Sequence, residues 1–356
     1  MRKAVLIINT HAEYLATQAE KLGYKTFCID SFNQNSLNKI AKLKFLKNFI
    51  KKIRKNHKLV KLIYGSGLED KPDIYTTLHS EVDVQGNPLE VLEYCNDILN
   101  VEKALNISGL QIPRTSFSPL PSNIKTVVKP IQSYGGLHVN FTKQNIEDIY
   151  YQEFIPGSTF SISFFINKNK FSLLGFNKLF TLKDYSTNPF IHAGAMNIKR
   201  IKIFDQIEKS TEIFSSLIGL QGYNSIDFKI YDNKVFVIDI NPRITSTFKI
   251  YNELLTNDLM KSQINLKNSE INNTYSYPKK FYGFVYMFSR ENFKFHNKIK
   301  GDSSITNLPK EGEIIKKDNP IFTINFSSNS PSTLVSSLRK KISMTTKQYN
   351  CYDIDI

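Results

Sequence analysis

The sequence predicts an architecture of two classes, a doubly wound α/β domain followed by a largely antiparallel α+β region. Three observations carry that reading. The N-terminal segments alternate apolar strand, helix and apolar strand, whereas the segments beyond about residue 124 are strands joined by short hairpins. At 356 residues the chain exceeds what one compact core serves and suits two or three domains.

The opening reads AVLIINT, AEYLATQAEKL closed by Gly23, then YKTFCID: strand, short helix, strand. Next, Lys39 to Lys61 places Ile40, Leu43, Leu46, Phe49, Ile50 and Ile53 at helical spacing, so its lysines fall on the solvated face of an amphipathic helix. KLIYGSGLED is a third strand ending in Gly65, Ser66, Gly67 and Glu69, where glycines suit either a plain turn or a ligand close to the backbone. Residues 86–113 are helical up to Gly109, which ends the first domain near Thr115. SFSPLPSN, residues 116–123, is a linker. TVVKP, IYYQEFIPG and the hairpins around Asn167–Lys170 and Asp232–Lys234 build the second region, with a helix from about Phe204 to Ile218. Residues 261–279 are polar and read as loop; FYGFVYMF, EGEIIKKDNPIFTINF and a helix from Pro331 close the chain. The predicted domains are 1–115, 116–260 and 261–356.

Composition narrows the function classes. No apolar stretch approaches the roughly 20 residues of a membrane helix, and the short N-terminal apolar run does not read as a signal peptide, so a cytoplasmic protein is expected. Cys28, Cys95 and Cys351 lack metal-ligand spacing and read as buried thiols outside any disulfide framework. The net charge of +15 invites nucleic acid, but the excess is spread over the chain and its densest run is a helix face, so small anionic molecules rank first and nucleic acid and membrane are not expected partners. The first strand runs into Asn9-Thr10-His11 with no GxGxxG, the glycine segment after the third strand lacks a P-loop Lys-Ser/Thr, and no Ser-His-Asp or Cys-His set is readable. His11, His79 and His192 are weighed as bases; of these His192, in NPFIHAGAM, could touch a substrate, although a lone histidine is more often a polar loop residue.

Four features carry the chemistry. Lys129 ends the strand TVVKP and is followed by Ser133, Tyr134, Gly135 and Gly136, a fixed cation beside a loop of backbone N–H donors that suits phosphate. In YQEFIPG an apolar strand breaks at Pro-Gly, and Glu153, Phe154 and Ile155 offer backbone groups beside apolar side chains, as an adenine edge requires; a hinge with no ligand has the same look. Asp227 and Asp239 lie on two strands of one hairpin, within one or two residues of facing each other. In VFVIDINPRITSTF the alternation of an extended chain sends Asp239, Asn241 and Arg243 to one face, giving an oxygen-only donor set for Mg²⁺ beside a guanidinium; a strand running into an Asn-Pro turn, with Arg243 pairing Asp239, fits the same residues.

In this order the features resemble the ATP-grasp family of carboxylate-amine ligases. HAEYLATQAEKLGYKTFCID, YGSGLED and INPRITSTF look closest to small members of the tyramine–glutamate ligase kind in one-carbon cofactor pathways. The resemblance implies a pre-ATP-grasp domain followed by an ATP-grasp fold of two α+β subdomains. It also implies an ADP-forming ligase that joins a carboxylate to an amine through an acyl phosphate, in cofactor biosynthesis. ATP and Mg²⁺ or Mn²⁺ would be its cofactors and a small acid and amine its substrates; a homo-oligomer is compatible with the sequence. By position, Lys129, Ser133, Gly135 and Gly136 would hold phosphates, Glu153, Phe154 and Ile155 adenine, and Lys178 would be a second phosphate-binding lysine. Asp227, Asp239 and Asn241 would bind metal, and Arg243 the transferred phosphoryl group, with Lys129 and Arg243 serving catalysis. Two positions depart from the pattern: Ile98 stands where many members have lysine, and Phe160 where many have an acid for the ribose. These departures motivate the alternative of a non-catalytic nucleotide- or anion-binding module.

Overall fold

A computed structural model describes residues 3–30, 43–68, 71–131, 136, 139–142, 148–183, 189–255, 258–268, 271, 279–299 and 301–356. Strands β1 (Lys3–Asn9), β2 (Lys25–Asp30) and β3 (Lys58–Tyr64) form a parallel sheet of order β2-β1-β3, linked through α1 (Glu13–Lys21) and α2 (Leu43–Asn56). Strand alternation divides its residues between two cores. Ala4, Leu6 and Ile8 pack with Leu46, Ile50 and Ile53 of α2 and with Ile74 and Leu78 of α3 (Pro72–Glu81). Val5 and Ile7 pack on the other side with Leu15 and Ala19 of α1. The basic segment therefore forms an amphipathic helix, but it ends at Asn56, and Lys58 to Lys61 already belong to β3. Ile40 lies outside the described residues.

Helices α4 (Leu89–Asn96) and α5 (Ile98–Ser108) follow, the second capped by the Asp97 side chain and closed by left-handed Gly109. Strands β4 (Thr115–Ser116), β5 (Thr126–Pro130) and β6 (Ile149–Glu153) make a small antiparallel sheet of order β4-β6-β5. A large sheet takes β7 (Thr159–Asn167), β8 (Lys170–Leu182), β9 (His192–Ile198), β10 (Gly222–Tyr231) and β11 (Lys234–Asn241), with α6 (Ile203–Ile218) packed on one face. Helices α7 (Phe248–Leu254) and α8 (Asp258–Ile264) lead to β12 (Phe281–Phe288). Residues 261–264 are thus helix where the polar composition reads as loop, because Leu259, Met260 and Ile264 are fully buried against α1 and the first sheet.

Beyond β13 (Phe293–Lys294), β14 (Ile305–Thr306) and β15 (Ile314–Ile315), the long β16 (Pro320–Ser328) pairs with β12, so C-terminal strands share the sheet of β7 to β11: β11-β10-β7-β8-β9-β12-β16-β14. Helix α9 (Pro331–Tyr349) buries Leu334, Leu338 and Ile342 on it, and β17 (Ile354–Asp355) pairs with β8. Cys28 is exposed rather than buried, whereas Cys351 is buried and Cys95 half-buried. Among the described residues no helix is long and apolar enough to cross a membrane.

Candidate active site

Asp232 and Asn233 both hold left-handed backbone, with φ of 50° and 56°, the tight turn whose twist matches an antiparallel pair. From that turn β10 and β11 run in step from Tyr231 opposite Lys234 to Phe228 opposite Val237. A bulge then shifts the register, so that Asp227 lies opposite Asp239 and Ser225 opposite Asn241. In strict register Asp227 would oppose Ile238; the bulge leaves Ile238 unpaired, re-aims the chain and brings the two carboxylates together. The Ile238 carbonyl accepts a hydrogen bond from Lys129 Nζ at 2.8 Å, which ties β5 of the small sheet to the large one at this point.

The electrostatics follow from this packing. Burial and the facing Asp239 push the Asp227 carboxyl well above the usual carboxylate range, against the opposing pull of Arg243, Asn241 and Lys129. Burial pushes the Lys129 ammonium down, partly offset by Asp239 and Asp227. Asn241 Nδ2 lies 3.5 Å from Asp227 Oδ2, and Arg243 is 7% exposed. A hard divalent cation fits this set. The donors are all oxygens, and burial first and the facing Asp239 second disfavour two ionised carboxylates here, a cost that a divalent cation would offset. No group of three or more His, Cys, Asp or Glu side chains with metal-binding geometry occurs among the described residues, so the set depends on the Asn241 amide and on water or substrate oxygens.

Lys129, Gly136, Glu153, Phe154, Ile155, Asp227, Asp239, Asn241 and Arg243 all line one cleft of about 960 Å³. Gly136 has φ +74°, and a Cβ there would lie 1.9 Å from the Phe190 carbonyl oxygen, so glycine is required. Ser133 and Gly135 lie outside the described residues. The Glu153 and Phe154 N–H groups bond the Arg114 and Lys125 carbonyls, each at 2.8 Å. The Phe154 ring sits 5.2 Å from Phe141 and 6.2 Å from Phe190, with the Lys125 and Lys229 ammonium groups 4.6 and 5.3 Å from its centroid. Aromatic surface and cations thus meet at this end of the cleft.

Lys178 is not among the cleft-lining residues. It pairs with Phe160 across β7 and β8 and shares a strand face with Phe176, on the side of the sheet that packs against α6, whereas Ser161 and Leu179 line the cleft. Phe160 is likewise a packing residue, with its ring 5.9 Å from Phe228 and 6.3 Å from Phe204; its neighbours Thr159 and Ser161 line the cleft. Its side chain therefore says nothing against a nucleotide. Ile98 lines a cavity of about 90 Å³ behind Asp239, Asn241 and Arg243.

Several contributors have no local signature. Asn87, fully buried, donates to the Pro242 carbonyl at 2.8 Å and to Asn224 Oδ1 at 2.7 Å, pinning the turn between Asn241 and Arg243. The Tyr223 hydroxyl meets Ser163, Thr245 and Thr247 at 2.9, 3.2 and 2.8 Å, under the loop that follows Arg243. Gly65 packs against Asn9, whose Oδ1 accepts from the Ser66 N–H, so the glycines after β3 serve a close backbone approach within the protein.

His11 and His192 both line the cleft, and His79 does not. Burial, together with its neighbour His192, holds His11 down to about 3; burial and the Arg243 charge hold His192 down to about 4. Neither suits deprotonating an alkylammonium, since a gap of about six pKa units is about 8 kcal/mol uphill. They stand in the cleft as neutral rings.

Residues 95–247 match the model of an ATP-grasp domain. The chain is 28% identical over 361 residues to an uncharacterized protein of Methanocaldococcus jannaschii, covering 91% of this chain and 88% of that one. It is 34% identical over 126 residues to the tyramine–L-glutamate ligase of the same organism, across 35% of this chain and 37% of that ligase. Among solved structures, the L-amino acid ligase of Bacillus licheniformis superposes with a TM-score of 0.71 at 15% identity, covering 96% of each chain. The biotin carboxylase domain of the Hydrogenobacter thermophilus 2-oxoglutarate carboxylase, solved with MgADP, superposes with a TM-score of 0.75 at 10% identity, covering 98% of this chain and 90% of that one. The chain carries an ATP-grasp domain and has the ATP-grasp fold.

Proposed function

We propose that this ATP-grasp protein is a ligase that phosphorylates a small carboxylic acid with ATP and passes the acyl group to an amine, releasing ADP and phosphate. The observation that carries the reading is the register-matched pair Asp227 and Asp239, with Asn241, Lys129 and Arg243 on the same cleft. A carboxylate does not acylate an amine at neutral pH, because its oxygen is a poor leaving group; an acyl phosphate removes that obstacle. The protein's work is then positioning and charge neutralisation.

Phe154 and the backbone of Glu153 to Ile155 hold the adenine, beside Lys125 and Lys229. Lys129 and the Gly136 loop hold the phosphates, and Arg243 orients the transferred phosphoryl group and then the acyl phosphate. Asp227, Asp239 and Asn241 hold Mg²⁺, or Mn²⁺ of the same hard-oxygen preference, which when bound offsets the charge on the phosphates. The relatives named for joining tyramine to L-glutamate and for ligating L-amino acids support an amino-acid-like acid as one substrate.

The test is ADP release from MgATP over a panel of acids paired with amines. Release is expected to require both partners and to fall about 10²–10³-fold in Asp239→Ala, as deletions of electrostatic groups at reacting centres do, with the melting temperature retained. An Asp239→Ala protein as active as the wild type would overturn the assignment.

A further inference from the structure

The cleft has a second end that the phosphate chemistry leaves unused. His11, two residues beyond β1, His192 on β9 and Tyr286 on β12 line it from three separate parts of the chain. His11 and Tyr286 stack with centroids 4.8 Å apart and planes at 23°. His192 stands edge-on to Tyr286 at 6.1 Å and to Phe284 at 6.4 Å, and Phe284 is 5.3 Å from Tyr286. The group is fixed to the loop that carries Arg243, since His192 Nε2 lies 2.9 Å from Ser246 Oγ and the Tyr286 hydroxyl bonds Ser246 as well.

What this wall can recognise follows from its charge. Both imidazoles are neutral at physiological pH, held so chiefly by burial, with His192 acting on His11 and Arg243 on His192. The neutral rings offer a carboxylate no counter-ion, and the nearby Arg243 is assigned to the transferred phosphoryl group. An ammonium group would meet the Arg243 guanidinium nearby. A neutral planar ring matches the wall on both counts, and offset or edge-on contacts with several aromatic faces favour it over a saturated group of equal size. The cleft that holds the wall encloses about 960 Å³, the upper end of the range for ligand clefts.

Building on the ligase reading above, we propose that the wall of His11, His192 and Tyr286 is the specificity site for a neutral aromatic ring carried by one of the two co-substrates. The carrier is either the amine or the acid, and the same experiment separates them.

Calorimetry on the full chain with Mg²⁺ and a non-hydrolysable ATP analogue would compare phenethylamine with cyclohexylethylamine, and 3-phenylpropanoate with 3-cyclohexylpropanoate. One aromatic member should bind at least ten-fold more tightly than its saturated twin. Tyr286→Leu should erase that preference and leave binding of the ATP analogue unchanged, whereas Tyr286→Phe, which keeps the ring, should retain it. His11→Leu, on a different part of the chain, supplies the same test should Tyr286→Leu fail to fold. Equal binding of ring and saturated twin in both pairs, or a preference that survives loss of the wall, overturns the inference. The two readings fail separately. Aromatic preference without ADP release from any acid-amine pair supports the wall and defeats the ligase, while ADP release from wholly aliphatic pairs, with no ring preference in binding, does the reverse.

Discussion

Tyr223→Phe tests whether the loop after Arg243 is held from below. The side chain is 1% exposed, and its hydroxyl contacts Ser163, Thr245 and Thr247 at 2.9, 3.2 and 2.8 Å, the full capacity of a phenol with one donor and two acceptor sites. A net value of about 1 kcal/mol per hydrogen bond would make the loss about 3 kcal/mol. The remaining hydroxyls lower that figure. Thr245 and Thr247 lie 2.9 Å apart, Ser163 and Thr247 3.2 Å, and Asn177 Nδ2 donates to Ser163 at 3.1 Å, so each keeps a partner. The expected destabilisation is therefore about 1–2 kcal/mol, the low end of the range for breaking a buried polar network, and it should appear as a melting temperature a few degrees lower by scanning calorimetry. Loosening residues 245 to 247 also frees the Arg243 guanidinium, while the Glu153 to Ile155 segment is untouched. ADP release should accordingly show kcat reduced about ten-fold, of the order expected when a transition-state contact loses about 1.4 kcal/mol, with KM for ATP unchanged. Wild-type stability together with wild-type kcat would refute the reasoning, and so would an altered KM for ATP with kcat intact.

Gly136→Ala should weaken binding of an ATP analogue in calorimetry and lower the melting temperature, because the new Cβ would lie 1.9 Å from the Phe190 carbonyl oxygen on backbone with φ +74°; overpacking of this kind costs about 1–3 kcal/mol. Lys129→Met should reduce ADP release about 10²-fold or more, by removing a cation fixed beside Asp227 and Asp239, and a smaller loss than that of an exposed-lysine control would count against its role. Acid should destabilise the protein through His11 and His192. Their folded values, about 3 and about 4, lie below the unfolded value of 6.5, so the unfolded chain binds the extra protons first. Their contribution is complete above about pH 6.5 and is lost as pH falls towards 4, at about 1.4 kcal/mol per unit of difference for each group. Melting temperatures of His192→Phe should vary less with pH across that window than those of the wild type.

The part of the site that was legible in the sequence is the part that local rules specify. Asp232 and Asn233 signal a tight hairpin, and alternation beyond it sends Asp239 and Asn241 to one face. Local rules do not show the bulge. Counted back from the turn in strict register, Asp227 meets Ile238, and nothing in YNSIDFKIY or KVFVIDIN marks where the extra residue goes. Lys178 is the converse case. Position relative to a family pattern suggested a phosphate ligand, yet parity with Phe176 and with its partner Phe160 turns it to the packed face. Asn87, Tyr223 and Tyr286 were illegible for a third reason, since each acts on the loop of Arg243 from 20 or more positions away in sequence, through contacts that exist only once the sheets are assembled.

The bulge ties these levels together. It places Asp239 opposite Asp227 and leaves the Ile238 carbonyl to accept from Lys129, so one inserted residue sets both the carboxylate pair and the cation beside it. A site built this way answers to register as much as to residue identity. A variant that keeps every side chain of the constellation but carries one further residue between Ile238 and Asp239 should put that residue opposite Asp227 and move Asp239 opposite Ile226, turning Asp239, Asn241 and Arg243 from the cleft. Its loss of ADP release should match that of Asp239→Ala although no proposed ligand has been changed, and retention of activity would show that the two carboxylates do not work as a facing pair.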